Sequence, residues 1–335
     1  MPESVRKFGF ELEYASNARL MLPSLRSDGL MGMDTIHDYH CSCEMCMFTP
    51  SERRNSLGEF EMLPPYDLRA QRDSTADGEF ITRPIEDWDD LQRIADALTS
   101  AADRVDATVN SRCGLHVHVD TSSDLQPGDD RLHRRRIVPA AYLAFERYFT
   151  EIVAPGASVR KRDMNSTLME AARQWASDNW GARGSTQWMD FGRGQVDDML
   201  LAAIQSDRHV DLNWSRRHNT WEFRVFNATN AAWRIELACR MSVAFVEAAP
   251  DLRNEVESVV RGSKFWPEGC DSPWGEIVRP AFSELPAPHP TKRPVVPMEV
   301  FIDILCDVDP ELRPLIERQA NYMRTRFARM VEVAA

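Results

Sequence analysis

Residues 110 to 120 read Asn-Ser-Arg-Cys-Gly-Leu-His-Val-His-Val-Asp, and polar and apolar side chains alternate there with the period of a β-strand. On such a strand His116, His118 and Asp120 share one face while Leu115, Val117 and Val119 share the other. Residues 8 to 14 repeat the construction, with Glu11 and Glu13 opposite Phe10, Leu12 and Tyr14. In residues 220 to 226, Glu222 and Arg224 face away from Trp221, Phe223 and Val225. A shorter stretch sets Asp77 and Glu79 against Phe80. If these strands pair in one antiparallel sheet, carboxylates, imidazoles and a guanidinium collect on one surface. So many acids would repel one another. A divalent cation resolves that, because hard cations take carboxylate oxygens, and an arginine beside them suits an anionic phosphate.

Glu-x-Glu, then Gly-x-His-x-His, then Glu-x-Arg, in that order, resembles the glutamine synthetase and glutamate–cysteine ligase superfamily, most closely its amidoligase branch. Asn110 to His118 is similar to the synthetase signature in which a Gly-x-His-x-His strand follows an Asn, and residues 10 to 14 to its opening Glu-x-Glu strand. Glu222-Phe-Arg-Val-Phe-Asn looks like its Glu-x-Arg strand, and Gly78-Glu-Phe-Ile-Thr-Arg-Pro like the strand that carries a second metal ligand. The resemblance implies an α+β fold, with a curved, mostly antiparallel sheet whose polar face lines a funnel-like active site and helices on the outer face, as in a synthetase catalytic domain.

It also implies an ATP-dependent carboxylate–amine ligase working through an acyl phosphate. Glu11, Glu222 and His116 would hold the metal that bridges the ATP phosphates. Glu13 and Glu79 would hold the metal nearer the acyl phosphate. His118 would contact phosphate, and Arg224 would clamp the substrate carboxylate or the transferring phosphoryl group. Two or three Mg²⁺ ions are implied. An imidazole is an atypical Mg²⁺ ligand, which leaves room for Zn²⁺ or Mn²⁺. Two other readings stay open: a metal-dependent hydrolase using His116 and His118 with a carboxylate to activate water, and a noncatalytic binding or assembly protein on a ligase-derived fold.

A 335-residue chain that is 43% hydrophobic can bury a full core. The reading is of a catalytic domain over 1–260, a proline-rich wrap over 261–297 holding eight prolines, and C-terminal helices over 298–335 packed on the same domain. A net charge of −12 argues against general nucleic-acid binding. With no apolar run near twenty residues and no signal-like start, a cytoplasmic protein without membrane contact is expected. Seven cysteines, an odd number, suit reduced thiols.

Five of the potential soft ligands fall within ten residues, namely His37, His40, Cys41, Cys43 and Cys46. They could hold a structural Zn²⁺, with Cys43-x-x-Cys46 supplying the turn, or form a surface loop of free thiols. Residues 51 to 76, polar and broken by Pro64-Pro65, read as a long excursion. Asp87 caps an expected helix whose Leu91, Ile94, Leu98 and Ala102 face the core. Residues 131 to 153 read as a second helix that buries Tyr142, Phe145, Phe149 and Ile152.

The cationic run Arg160-Lys-Arg162 could close over nucleotide phosphates or be ordinary surface. No Walker-type loop is present, so metal and arginines, Arg224 among them, would have to hold ATP. Residues 209 to 226 read as a hairpin, and Asn230 as the cap of a helix bearing Trp233, Leu237, Met241, Ala244 and Phe245. The remaining residues, 298 to 333, read as helical, broken at Asp309-Pro310. The substrates would be a small-molecule or peptide acid and an amine, with specificity in loops 17–76 and 155–200. Oligomeric state is open.

Overall fold

The central strand, β1 (Phe8–Tyr14), has the alternation of one polar and one apolar face, and its neighbours follow from it. A computed structural model describes residues 6–38, 41, 51–54, 60–63, 66–73, 76–121, 137–139, 141–142, 145–146, 148–149, 152, 211–215, 218–261 and 296–334. On one edge of β1 lies β6 (Gly114–Asp120), antiparallel, with Glu11 opposite His116 and Gly9 opposite His118. On the other edge lies β5 (Gly78–Thr82), with Glu13 opposite Glu79, followed by β4 (Leu68–Gln71), with Gln71 opposite Glu79. Further along the chain, β7 (Leu212–Ser215) and β8 (Thr220–Asn227) form the expected hairpin. The strands make one open antiparallel sheet in the order β4-β5-β1-β6-β8-β7. β2 (Ser51–Arg54) and β3 (Phe60–Leu63) form a separate two-stranded ribbon. The class is α+β.

The apolar faces read from sequence are buried. Phe10, Leu12, Tyr14, Leu115, Val117, Val119, Trp221, Phe223 and Val225 are all 2% exposed or less. Burying each such side chain stabilises the fold by about 1.5–3 kcal/mol, which pins the polar residues between them to the opposite face.

The chain divides into two compact units that interleave along the sequence. One holds the described residues of Met1–Val119 together with Val225–Arg240. In it, α1 (Ala18–Ser27) packs on α2 (Trp88–Arg104). Asp87 caps α2 by accepting the Asp90 N–H at 2.7 Å, and Leu91, Ile94, Leu98 and Ala102 are buried as the spacing predicts. Replacing Leu98 with Ala would cost about 2–5 kcal/mol through the cavity left behind. Trp88 at the start of α2 lies against Phe8, ring centroids 4.7 Å apart.

The second unit holds the described residues of Asp120–Pro155, Lys161–Arg224 and Met241–Ala335. Its centre is aromatic. Phe145 stacks on Phe301 at 4.9 Å, and Phe149 meets Phe245 edge-on at 5.0 Å and Phe223 at 5.8 Å. The described residues between 137 and 152 are helical, and Tyr142, Phe145, Phe149 and Ile152 are buried as expected. α3 (Ala232–Arg261) supplies Phe245, α4 (Met298–Val308) supplies Phe301, and α5 (Leu312–Ala334) ends the chain. Such ring pairs add about 0.5–1.5 kcal/mol each beyond their buried area. No described helix is long and apolar enough to cross a membrane.

Four sequence expectations are corrected. Residues 51–76 are not one excursion, because they include β2, β3 and β4. Residues 18–27, read as part of the loop 17–76, form α1, which accommodates Pro23 although a proline lacks the N–H that a helix interior uses. Asp77 precedes β5 and does not join the acidic face; its carboxylate accepts the Ala18 N–H at 2.9 Å and so fastens the start of α1. Asn230 sends its side-chain amide to the Ala107 carbonyl at 2.8 Å, while Thr229 Oγ1 accepts the Ala231 N–H near the start of α3. The domain boundaries read at 260 and 297 border 262–295, outside the described residues.

Candidate active site

Because the side-chain period of a strand is two, residues directly opposite one another across a sheet share a face. Gln71, Glu79 and Glu13 therefore form one row across β4, β5 and β1, and Glu11 and His116 form the next row across β1 and β6. Glu13, Glu79 and His116 are buried, at 7%, 4% and 4% exposure. The ligand atoms of these three residues all lie within 4.8 Å of one another.

Each of the imidazoles faces carboxylate. His116 Nδ1 stands 3.3 Å from Glu11 Oε2, and its Nε2 stands 3.9 Å from Glu13 Oε1. His118 Nε2 lies 3.4 Å from Glu11 Oε1. Glycine at 114 is a steric requirement of this arrangement. A Cβ there would stand 2.7 Å from His116 Nε2. The Gly114 N–H also donates to Glu13 Oε2 at 2.8 Å and so orients that carboxylate. The glycine that opens Gly-x-His-x-His thus leaves room for the ring and hydrogen-bonds an acid.

The electrostatics split the acids. Burial alone would raise Glu11, but the charge of His118 and the hydrogen bonds from His116 and His118 hold it well below the usual carboxylate range. Glu79 goes the other way. Burial, then the charges of Glu11 and Glu13, lift its carboxyl well above that range, against the opposing hydrogen bond from Gln71. Gln71 Nε2 donates to Glu79 Oε2 at 2.9 Å.

These residues fit a divalent cation. Adjacent ligands of an octahedral ion with bonds of ~2.1 Å lie ~3 Å apart and opposite ones ~4.2 Å apart, so a group spanning 4.8 Å needs only a small contraction. The donors are two carboxylates and an imidazole, a set that takes Mg²⁺ and takes Mn²⁺ more readily. A cation there would offset the repulsion that raises Glu79.

The Glu222–Arg224 pair belongs to the second unit. Both face one side of β8, Arg224 pairs with Glu222 Oε1, and Asn213 Nδ2 on β7 donates to Glu222 Oε2 at 3.1 Å. Asn213 escaped the sequence reading, although its place opposite Glu222 in a hairpin was the available signal. Gln71 escaped it because β4 did.

Of the Cys/His group, His37 and Cys41 are described, and Cys41 Sγ lies 3.4 Å from His37 Nδ1. His40, Cys43 and Cys46 lie outside the described residues, as do Arg160, Lys161 and Arg162.

A family model whose description is "putative amidoligase enzyme" matches residues 4–246. That span takes in Glu11, Glu13, Glu79, His116, His118, Glu222 and Arg224. No curated protein matches the chain.

Proposed function

Because the chain belongs to the amidoligase family, whose model spans 4–246 of its 335 residues, we propose that it is an ATP-dependent carboxylate–amine ligase. The observation that carries the proposal is the pair of rows on β4, β5, β1 and β6. Three carboxylates and two imidazoles meet there on one face, beyond what hydrogen bonds among themselves can neutralise.

Joining an acid to an amine is uphill in water, so the acid must first be activated. In the proposed reaction the γ-phosphoryl group of ATP moves to a substrate carboxylate, giving an acyl phosphate and ADP. The amine then attacks the acyl carbon, and phosphate leaves. Phosphoryl transfer asks a protein mainly for positioning and charge neutralisation. Magnesium, or manganese, bound by Glu13, Glu79 and His116 would supply that neutralisation.

The chain's own groups have distinct tasks. Gln71 and the Gly114 N–H orient Glu79 and Glu13. Glu11, kept as a proposed metal ligand, also faces the two imidazoles, leaving His118 to contact phosphate. The proposal keeps Glu222 as a metal ligand on the nucleotide side, Arg224 as the clamp on the transferring phosphoryl or the substrate carboxylate, and Arg160, Lys161 and Arg162 as phosphate contacts. The substrates are a small-molecule or peptide acid and an amine. The setting is cytoplasmic, where ATP and reduced thiols coexist.

The test is ADP release from ATP and Mg²⁺ with panels of acids and amines, repeated with Glu222→Gln and Arg224→Met. Turnover should need acid, amine and nucleotide together and should fall in both variants. Hydrolysis of an amide or ester without nucleotide would replace this reading with the metal-hydrolase one.

A further inference from the structure

In the β7–β8 hairpin the apolar face sets the register. Trp214 lies opposite Trp221, their rings edge-on with centroids 4.9 Å apart, and Leu212 lies opposite Phe223. All four side chains are buried. A slip of one residue would turn one strand's set to the polar face, so Asn213 is held opposite Glu222. Both of these are buried as well, and asparagine is a residue that strands ordinarily disfavour. Its amide is satisfied by the acid: Asn213 Nδ2 donates to Glu222 Oε2 at 3.1 Å. An ionised carboxylate only accepts, which fixes the NH₂ end of Asn213 toward it. The other oxygen, Oε1, pairs with the half-buried Arg224. Each carboxylate oxygen has two lone pairs, so neither bond closes Glu222 to a cation.

We infer that Asn213 is a positioning residue, which keeps Glu222 aimed at a divalent cation after Arg224 has let go. The inference rests on the reading of Glu222 as a metal ligand. A divalent cation on Glu222 offsets the charge that holds the guanidinium and repels it at short range. The amide carries no net charge, so its bond to Oε2 survives the same event. Glu222 therefore has a charged partner for the metal-free protein and a neutral one that serves in both states. Without Asn213 the carboxylate would rotate once the guanidinium left, and metal binding would carry the entropy of ordering it. Release also turns Arg224 toward an anionic group, the task that the ligase reading gives it.

The experiment is Mn²⁺ titration of the full chain by electron paramagnetic resonance, with Glu222→Gln marking the ion that Glu222 holds. Asn213→Leu keeps the branched shape of asparagine without its donor, and Asn213→Ala removes the side chain. Affinity for the marked ion should fall about 10–100-fold in both, the range for a lost supporting hydrogen bond. In Arg224→Met it should equal or exceed that of the wild type, because a competing cation has gone. Adding Asn213→Leu to Glu222→Gln should bring no further loss. Wild-type affinity in Asn213→Leu, or a loss of affinity in Arg224→Met, would overturn the inference while leaving Glu222 a ligand. Equal Mn²⁺ binding by Glu222→Gln and the wild type would overturn the reading of Glu222 and the inference with it. Every one of these outcomes is read without turnover.

Discussion

Arg83 and Arg93 meet Asp67 and Asp90 in the first unit, two cations against two anions, while on the neighbouring sheet face Glu11, Glu13 and Glu79 stand with His116 and His118. In the first group Arg83 Nε stands 2.7 Å from Asp67 and its Nη2 pairs with Asp90, and Arg93 reaches the same two acids at 3.0 and 2.8 Å. The hydrogen bond from Arg93, with that from Arg83, lowers Asp90 against the effect of burial, and Asp67 and Asp90 raise Arg83 despite its own burial. Charge closes within the group, which ties β4, β5 and α2 together. In the second group three acids share two imidazoles, and Glu79 is driven toward its neutral form. Balanced charge serves the scaffold; unbalanced charge on a largely buried sheet face calls for a cation from outside.

The sharpest way to break this contrast is Glu13→Gln. It removes a proposed metal ligand without changing shape, and ADP-forming turnover should drop by about 10²–10³-fold, the several kcal/mol of charge stabilisation a metal supplies. Equal turnover in the variant and wild type would remove the carboxylate row from the chemistry.

Stability should respond to metal and pH together. Glu79 is raised in the folded state, so the stability it contributes is full below the ordinary carboxylate range of about 4.3 and is lost as pH rises through its raised value. Glu11 is depressed, so its contribution is present above that range and is lost only as pH falls through its lowered value. The metal-free protein should therefore melt at progressively lower temperature from mildly acidic to neutral pH. Mn²⁺ at 100 times its Kd should restore about 2.7 kcal/mol at neutral pH. Scanning calorimetry with and without Mn²⁺ checks both signs, and a melting profile indifferent to metal would count against a cation site.

Arg83→Met should do the opposite of Glu13→Gln. Removing charge-assisted bonds to Asp67 and Asp90 should cost about 2 kcal/mol in denaturant unfolding while leaving Mn²⁺ affinity intact. A loss of metal affinity there would show that the two groups are not independent.

The smallest effect is expected from Gln71→Ala, which leaves the ligands in place and removes the hydrogen bond that orients Glu79. Mn²⁺ affinity should weaken about tenfold, with little change in unfolding free energy. Titration monitored by Mn²⁺ resonance would detect it.

Much of the candidate site was legible because alternation is a local property. One covalent repeat sends successive side chains to opposite faces, so Glu11 with Glu13, His116 with His118, and Glu222 with Arg224 could each be grouped from a few neighbouring letters. The Asp87 cap and the stripe of α2 were legible for the same reason, and both are present. Where a local signal misled, a residue had been read by its usual habit. Residues 18–27 were read as loop but form α1, and Asp77, two residues from Glu79, was read as an acid of the site but serves as the fastener of a helix.

The sequence by itself therefore determined which side chains share a face on each strand and which residue types that face would offer to a cation. Tertiary structure alone decided the register that sets Glu13 beside Glu79 and Glu11 beside His116, the arrival of Gln71 from a strand that showed no pattern, and the reach of the Gly114 N–H to an acid 101 residues earlier. The physical reason is that face assignment follows from bond geometry between adjacent residues. Register depends on burying the best total set of apolar side chains across strands that are remote in sequence, and no single stretch contains that sum.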